Sequence, residues 1–99
     1  MKRIDHVAIQ VNNVKESVSW YLDNFDCMIL YCDDTWAFLQ FDNIKLALVL
    51  ESEHPLHIAF KVNKINGVEH RDGSIGKYIE DNSGNKIELI QYEKEKEHN

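Results

Sequence analysis

The sequence predicts a single α+β domain of two related modules. The first reads strand, helix, three strands; the second reads strand, three strands, with no helix. Three observations predict it. The run from Asp5 to Val14 is echoed from Leu56 to Ile65, with His on His, Ala on Ala, Val on Val and Asn on Asn. Such an internal repeat sets the architecture before any local reading does. The stretch after the first copy has helical spacing, whereas the stretch after the second is too short for a helix of any length. Two apolar runs flanking Asp42-Asn43 read as a tight hairpin.

The first copy alternates strictly. Val7, Ile9 and Val11 point one way, and His6, Ala8 and Gln10 the other. The echo repeats this, with Ile58, Phe60 and Val62 opposite His57, Ala59 and Lys61. Each copy is therefore a strand with an apolar face and a face carrying a histidine beside a small residue. If the modules pair about a pseudo-twofold axis, the two histidines meet.

Asn13, with Glu16 three residues on, resembles a capping box. Val14, Val18, Tyr21, Leu22 and Phe25 then form one helical stripe. A strand follows from about Cys27 to Cys32, and Asp33-Asp34 turns the chain. In the hairpin, a two-residue loop of residues that tolerate positive φ sets Gln40 opposite Lys45, Phe38 opposite Ala47 and Trp36 opposite Val49. Ala37, Leu39, Phe41, Ile44, Leu46, Leu48 and Leu50 then share an apolar face, expected under the helix. Trp36, Phe38, Ala47 and Val49 share the face of the histidines. Pro55 separates the modules. Short strands are expected near 68–71, 76–80 and 86–92, with turns at Asp72-Gly73 and at Asp81 to Asn85, where Gly84 supplies positive φ. Module one spans residues 1–51 and module two 56–92. The charged stretch 93–99 reads as a frayed tail. Without a second helix, Leu56, Ile58, Phe60 and Val62 lose the cover of their counterparts. Apolar exposure of that extent implies cover by a second subunit or by the packed tail, and a homodimer is the expectation.

The chain has 99 residues, is 43% hydrophobic and carries a formal charge of -6. A domain this size buries about 60–65% of its unfolded surface. The acidic balance argues against nucleic-acid or anionic-membrane partners. No apolar run approaches the roughly 18 residues of a membrane span, and no signal-peptide core follows Met1. Cys27 and Cys32, read as lying on one strand at odd spacing, fall on opposite faces and cannot bridge each other. Reduced cysteines imply a cytoplasmic location.

His6, His57 and Glu88 all fall on the mixed faces of their strands. Taken singly, an inward histidine reads as a hydrogen-bonded core residue and Glu88 as a solvated one. Taken together, two imidazoles and a carboxylate from three strands form the facial ligand set of a divalent ion: Fe, Mn, Ni, Co or Zn. The repeat, which places histidine in the same position twice, brings the second reading level with the first. Trp36, Phe38 and Tyr78 would wall a small-molecule cavity and contact substrate. Gln10 and Lys61 read as rim residues. Tyr78, His70 or a metal-bound hydroxide are the candidate bases, and none is singled out.

These residues carry a family resemblance. Ile4-Asp5-His6-Val7-Ala8-Ile9, Leu56-His57-Ile58-Ala59-Phe60 and Asp81 to Ile90 look like the three ligand-bearing segments of the vicinal oxygen chelate superfamily, which comprises glyoxalases, bleomycin-resistance proteins and dioxygenases. The resemblance spans nearly all of residues 4–92. It implies paired βαβββ modules forming a curved mixed sheet around a cavity, and a divalent ion at His6, His57 and Glu88 chelated by substrate oxygens. Glyoxalase-type members add a second glutamate from the fourth strand, a position that falls at about Ala47 here. That departure argues against glyoxalase I activity. The three-ligand pattern looks more like the dioxygenase and thiol-transferase branches. The implied function is a small metal-dependent enzyme on an oxygenated small molecule; the alternative is non-catalytic ligand sequestration of the bleomycin-resistance type.

Overall fold

A computed structural model describes residues 2–92; the expected frayed tail, 93–99, lies outside the described residues. The chain forms β1 (Arg3–Gln10), α1 (Val14–Asn24), β2 (Met28–Cys32), β3 (Trp36–Gln40), β4 (Lys45–Val49), β5 (His57–Lys61), β6 (Val68–Glu69), β7 (Ile75–Glu80) and β8 (Lys86–Gln91). All eight strands share one mixed sheet, ordered β2-β3-β4-β1-β5-β8-β7-β6. That order is symmetric about the β1–β5 seam. The two copies of the repeat are the central strands, and each is flanked by the last strand of its own module.

The register carries the symmetry to single residues. β1 and β5 run antiparallel, with His6 opposite Ala59 and Ala8 opposite His57. β4 runs parallel to β1 with Ala47 beside Ala8, and β8 runs parallel to β5 with Glu88 beside Ala59. Ala47 and Glu88 therefore occupy equivalent places. The strand ends match as well: Val11 N–H donates to Val49 O at 2.8 Å, and Val62 N–H to Ile90 O at 2.9 Å.

One side of the first module is closed by α1. Asn13 caps the helix, its Oδ1 accepting from Glu16 N–H at 3.0 Å. Val14 and Val18 are buried against Ala37, Leu39 and Leu48, with Tyr21, Phe41, Leu46 and Leu50 packed around them. The stripe stops short of the expected length. Leu22, at the edge of the stripe, and Phe25, already the C-cap, are exposed.

The hairpin register is as expected, with Trp36 opposite Val49 and Phe38 opposite Ala47. Its turn differs. No described non-glycine residue has positive φ, so Asp42-Asn43 turns with ordinary backbone angles while Phe41 N–H donates to Ile44 O at 3.0 Å. Gly73 and Gly84 do take positive φ, 89° and 85°.

The expected placement of the cysteines is overturned. Cys27 precedes β2, and the β2–β3 register shifts between Ile29 and Tyr31. The extra residue reverses the alternation, so Cys27 and Cys32 both pack on the helix-side core. Both are free thiols. The second module has no helix, and Leu56 and Ile58 are 63% and 40% exposed. No helix among the described residues is long and apolar enough to cross a membrane.

Candidate metal centre

On the face opposite α1, the curved sheet lines an open cavity with about 300 Å³ of space between its walls, part of it open to solvent. Trp36, Phe38, Ala47, Val49 and Ile90 supply its apolar wall, and His6, His57, His54, His70, Tyr78 and Glu88 its polar floor and side. Tyr31 stacks on Trp36 at 4.3 Å between centroids, and Trp36 meets Phe38 edge-on at 5.0 Å. Trp36, Phe38 and Tyr78 thus stand where the sequence pattern puts them. Gln10 and Lys61 do not line the cavity: Gln10 donates to His54 O at 3.1 Å, and Lys61 borders a separate polar pocket with Arg3 and Lys45.

The seam register brings His6 and His57 together. Their Nε2 atoms lie 3.3 Å apart, and each is 3.2 Å from Glu88 Oε1. All three residues are buried, at 1%, 4% and 3% exposure. Among the described residues they form the group able to hold a metal ion, with ligand atoms within 4.8 Å of one another.

The outer partners decide which ring atoms are available. His57 Nδ1 is 2.7 Å from the carbonyl oxygen of Pro55, which can only accept, so Nδ1 carries the proton. His6 Nδ1 donates to Asp5 Oδ2 at 2.7 Å. Asp5 is held in turn by Lys45 at 3.0 Å and by the Tyr92 hydroxyl. Lys45 Nζ also sits 3.9 Å over the Tyr92 ring. With both Nδ1 atoms committed, neutral rings turn only lone pairs toward Glu88. Three acceptors converging without a donor are the chemistry of a cation site, and the partners on Nδ1 are those that orient ligating histidines. The residues present fit a divalent ion.

A proton on an imidazole Nε2 would instead make that atom a donor to Glu88: burial pushes the Glu88 carboxyl up, but such hydrogen bonds from His57 and His6, with the one from His70, hold it well below the carboxylate range. Burial pulls His6 down, yet Asp5 and Glu88 outweigh it and raise the ring above its ordinary value. Glu88 raises His70 by hydrogen bonding, against burial. Burial lowers His54 and raises Tyr78, whose hydroxyl lies 3.0 Å from His54 Nδ1.

Asp5 and His54 have roles that the sequence pattern does not suggest. Neighbouring residues on a regular strand face opposite ways, but the β1–β5 register shifts between Ile4 and His6. That bulge at Asp5 turns its carboxylate onto the His6 ring. His54 sits in the link between modules, where composition suggests only a turn. Its spacing of three from His57 was the available signal.

A clasp closes the outer edges of the sheet. β2 and β6 lie at opposite ends of the strand order, yet Arg71, just past β6, donates to Asp33 Oδ2 at 2.8 Å and Thr35 Oγ1 at 3.0 Å, just past β2. The sheet therefore curls until its two edges meet beside the cavity.

These features define a class: two modules joined through their first strands, curved around a cavity with two histidines and a glutamate at its floor. This is the vicinal oxygen chelate fold, shared by the glyoxalase/bleomycin-resistance/dioxygenase superfamily. No protein-family model and no curated protein matches the chain. Solved structures do. A hypothetical protein from Bacillus halodurans C-125 superposes with a TM-score of 0.75 at 19% identity, covering 98% of this chain and 99% of that one. A glyoxalase/bleomycin resistance protein/dioxygenase superfamily member from Vibrio splendidus 12B01 gives 0.64 at 12% identity, covering 92% and 99%. A Legionella pneumophila protein named as an NAD-dependent benzaldehyde dehydrogenase gives 0.66 at 15% identity, covering 89% and 98%. At these identities the likeness is one of fold.

Proposed function

We propose that the chain is a small metal-dependent enzyme acting on an oxygenated small molecule, with a divalent ion held by His6, His57 and Glu88. The observation that carries this reading is the convergence of three lone-pair donors within 3.3 Å at the floor of a cavity. Such an ion supplies Lewis acidity to a carbonyl, enolate or catecholate oxygen. The chain supplies the remainder. Trp36 and Phe38 present aromatic faces to the apolar part of a ligand. The paired Tyr78 hydroxyl and His54 ring offer hydrogen bonds to its oxygens. Ala8 and Ala59, next to the histidines on the strand face, leave room for them. Ala47 stands where a second glutamate would, which argues against glyoxalase I chemistry.

A second reading, ligand sequestration without chemistry, draws on one specific observation. Both side chains expected as bases are poorly placed to take a proton from a substrate, since His70 is engaged by Glu88 and burial raises Tyr78. Protein purified without chelator should contain a stoichiometric divalent metal by elemental analysis, and His57→Ala should lose it. Full metal content in that variant would refute both the site and the enzyme. Metal in the wild type, with bound ligand never converted, would select sequestration.

We also propose a homodimer that covers Leu56 and Ile58, on the side where the first module carries its helix. Sedimentation at micromolar concentration should show a dimer that Ile58→Lys dissociates. A wild-type monomer would end this part of the proposal.

A further inference from the structure

Glu88 has two carboxylate oxygens, and the structure gives them different partners. Oε1 faces the two imidazole Nε2 atoms at 3.2 Å. Oε2 faces His70 Nε2 at 3.0 Å. An ionised carboxylate only accepts, so His70 Nε2 carries the proton and donates. His70 stands on the far side of Glu88 and is not part of the three-ligand group.

The surroundings hold that contact in place. His70 opens a tight turn in which its N–H donates to Ser74 O at 2.7 Å, and Gly73 N–H donates to His70 O at 2.9 Å. Asp72 fastens the same turn through the buried Ser74, accepting from its N–H at 3.0 Å and its hydroxyl at 2.6 Å. On β7, Gly76 is the other requirement. A Cβ there would collide with Glu88 Oε2 and His70 Nε2, so any other residue would push the carboxylate and ring from the positions in which they meet. A half-buried hydrogen bond, a braced turn and a glycine cradle all meet at one contact.

We propose that His70 is a positioning residue for the metal centre. By holding Oε2, it fixes the rotation of the Glu88 carboxylate and presents Oε1 alone to the ion, as a one-oxygen ligand. The proposal rests on the metal reading of His6, His57 and Glu88. It differs from a purely structural ion pair in what it predicts for metal binding.

The test is titration of metal-free protein with Co(II), followed by visible absorption, for the wild type, His70→Ala, His70→Phe and His70→Gln. Outer partners of metal ligands are worth about 10–100-fold in affinity. His70→Ala should weaken Co(II) by that factor with unchanged stoichiometry. His70→Phe, which keeps ring volume without a donor, should do the same, so a poorly folded alanine variant does not remove the test. His70→Gln, which keeps a donor, should recover most of the affinity. Two wild-type-like affinities, for the Ala and Phe variants, would overturn the proposal while leaving the metal reading intact. A spectrum showing loss of a nitrogen ligand in those variants would also overturn it, because His70 would then be a ligand. Failure of the wild type to bind Co(II) would overturn the metal reading and this proposal together.

Discussion

The two modules share a strand register and differ in what they place on it. At equivalent positions beside the seam, the first has Ala47 and the second Glu88. On the opposite face, the first buries Leu48 under a helix, while its counterpart Leu89 is only partly buried. The first module supplies a histidine, the aromatic wall and most of the core. The second supplies a histidine, the carboxylate and the residues that hold it. Duplication fixes where side chains converge, and divergence at single positions decides what meets there. A symmetric pair would present four candidate ligands; this chain presents three.

The most severe way to break the contrast is to restore the symmetry. Ala47→Glu puts a second carboxylate into a buried wall beside Ala8 and opposite Phe38. Without metal, the uncompensated charge should cost about 3–5 kcal/mol in urea unfolding. Saturating Co(II) should return much of that loss. A metal-free variant as stable as the wild type would mean that position 47 does not face the site.

The next effect compares the opposite faces. Leu48→Ala should cost about 2–5 kcal/mol, the range for a fully buried leucine. Leu89→Ala, at the equivalent position with no helix above it, should cost less. Equal losses in the two variants would show that something covers the second module as tightly as α1 covers the first, and would support the dimer.

The smallest expected effect concerns the clasp between the sheet edges. Burial raises the Asp33 carboxyl, but bonds from Tyr31, Arg71 and Thr35 outweigh it and hold it well below the ordinary aspartate range. A group with a depressed folded pKa contributes stability above its unfolded value, about 3.9, and loses it as pH falls through the folded value. Asp33→Asn should therefore lower the melting temperature at pH 7, and the gap from wild type should narrow toward pH 2. A gap that stays constant with pH would show that the Asp33 charge contributes nothing.

Much of this was legible in the sequence because a repeat carries register information. The echo of His6-Val7-Ala8 in His57-Ile58-Ala59 placed two histidines on one seam, and the Ile87 to Ile90 alternation turned Glu88 toward them. The hairpin register placed Trp36 and Phe38 on the cavity wall. What escaped was set by irregular backbone. The bulge at Asp5 gives His6 its hydrogen-bond partner, and the bulge in β2 brings both cysteines to one side. Neither has a compositional mark. The place of His54 and the contact of His70 with Glu88 depend on short connections whose paths follow how far the sheet curls, which local spacing alone does not fix. The end of α1 failed for a simpler reason: Leu22 sits at the edge of the stripe, and the helix ends before Phe25 can join it.

The most direct measurement is anomalous diffraction at the cobalt edge from crystals grown with Co(II). The account predicts one strong peak within bonding distance of His6 Nε2, His57 Nε2 and Glu88 Oε1, absent from crystals of Glu88→Ala. Cobalt bound elsewhere, with these three side chains still bonded only to one another, would contradict it.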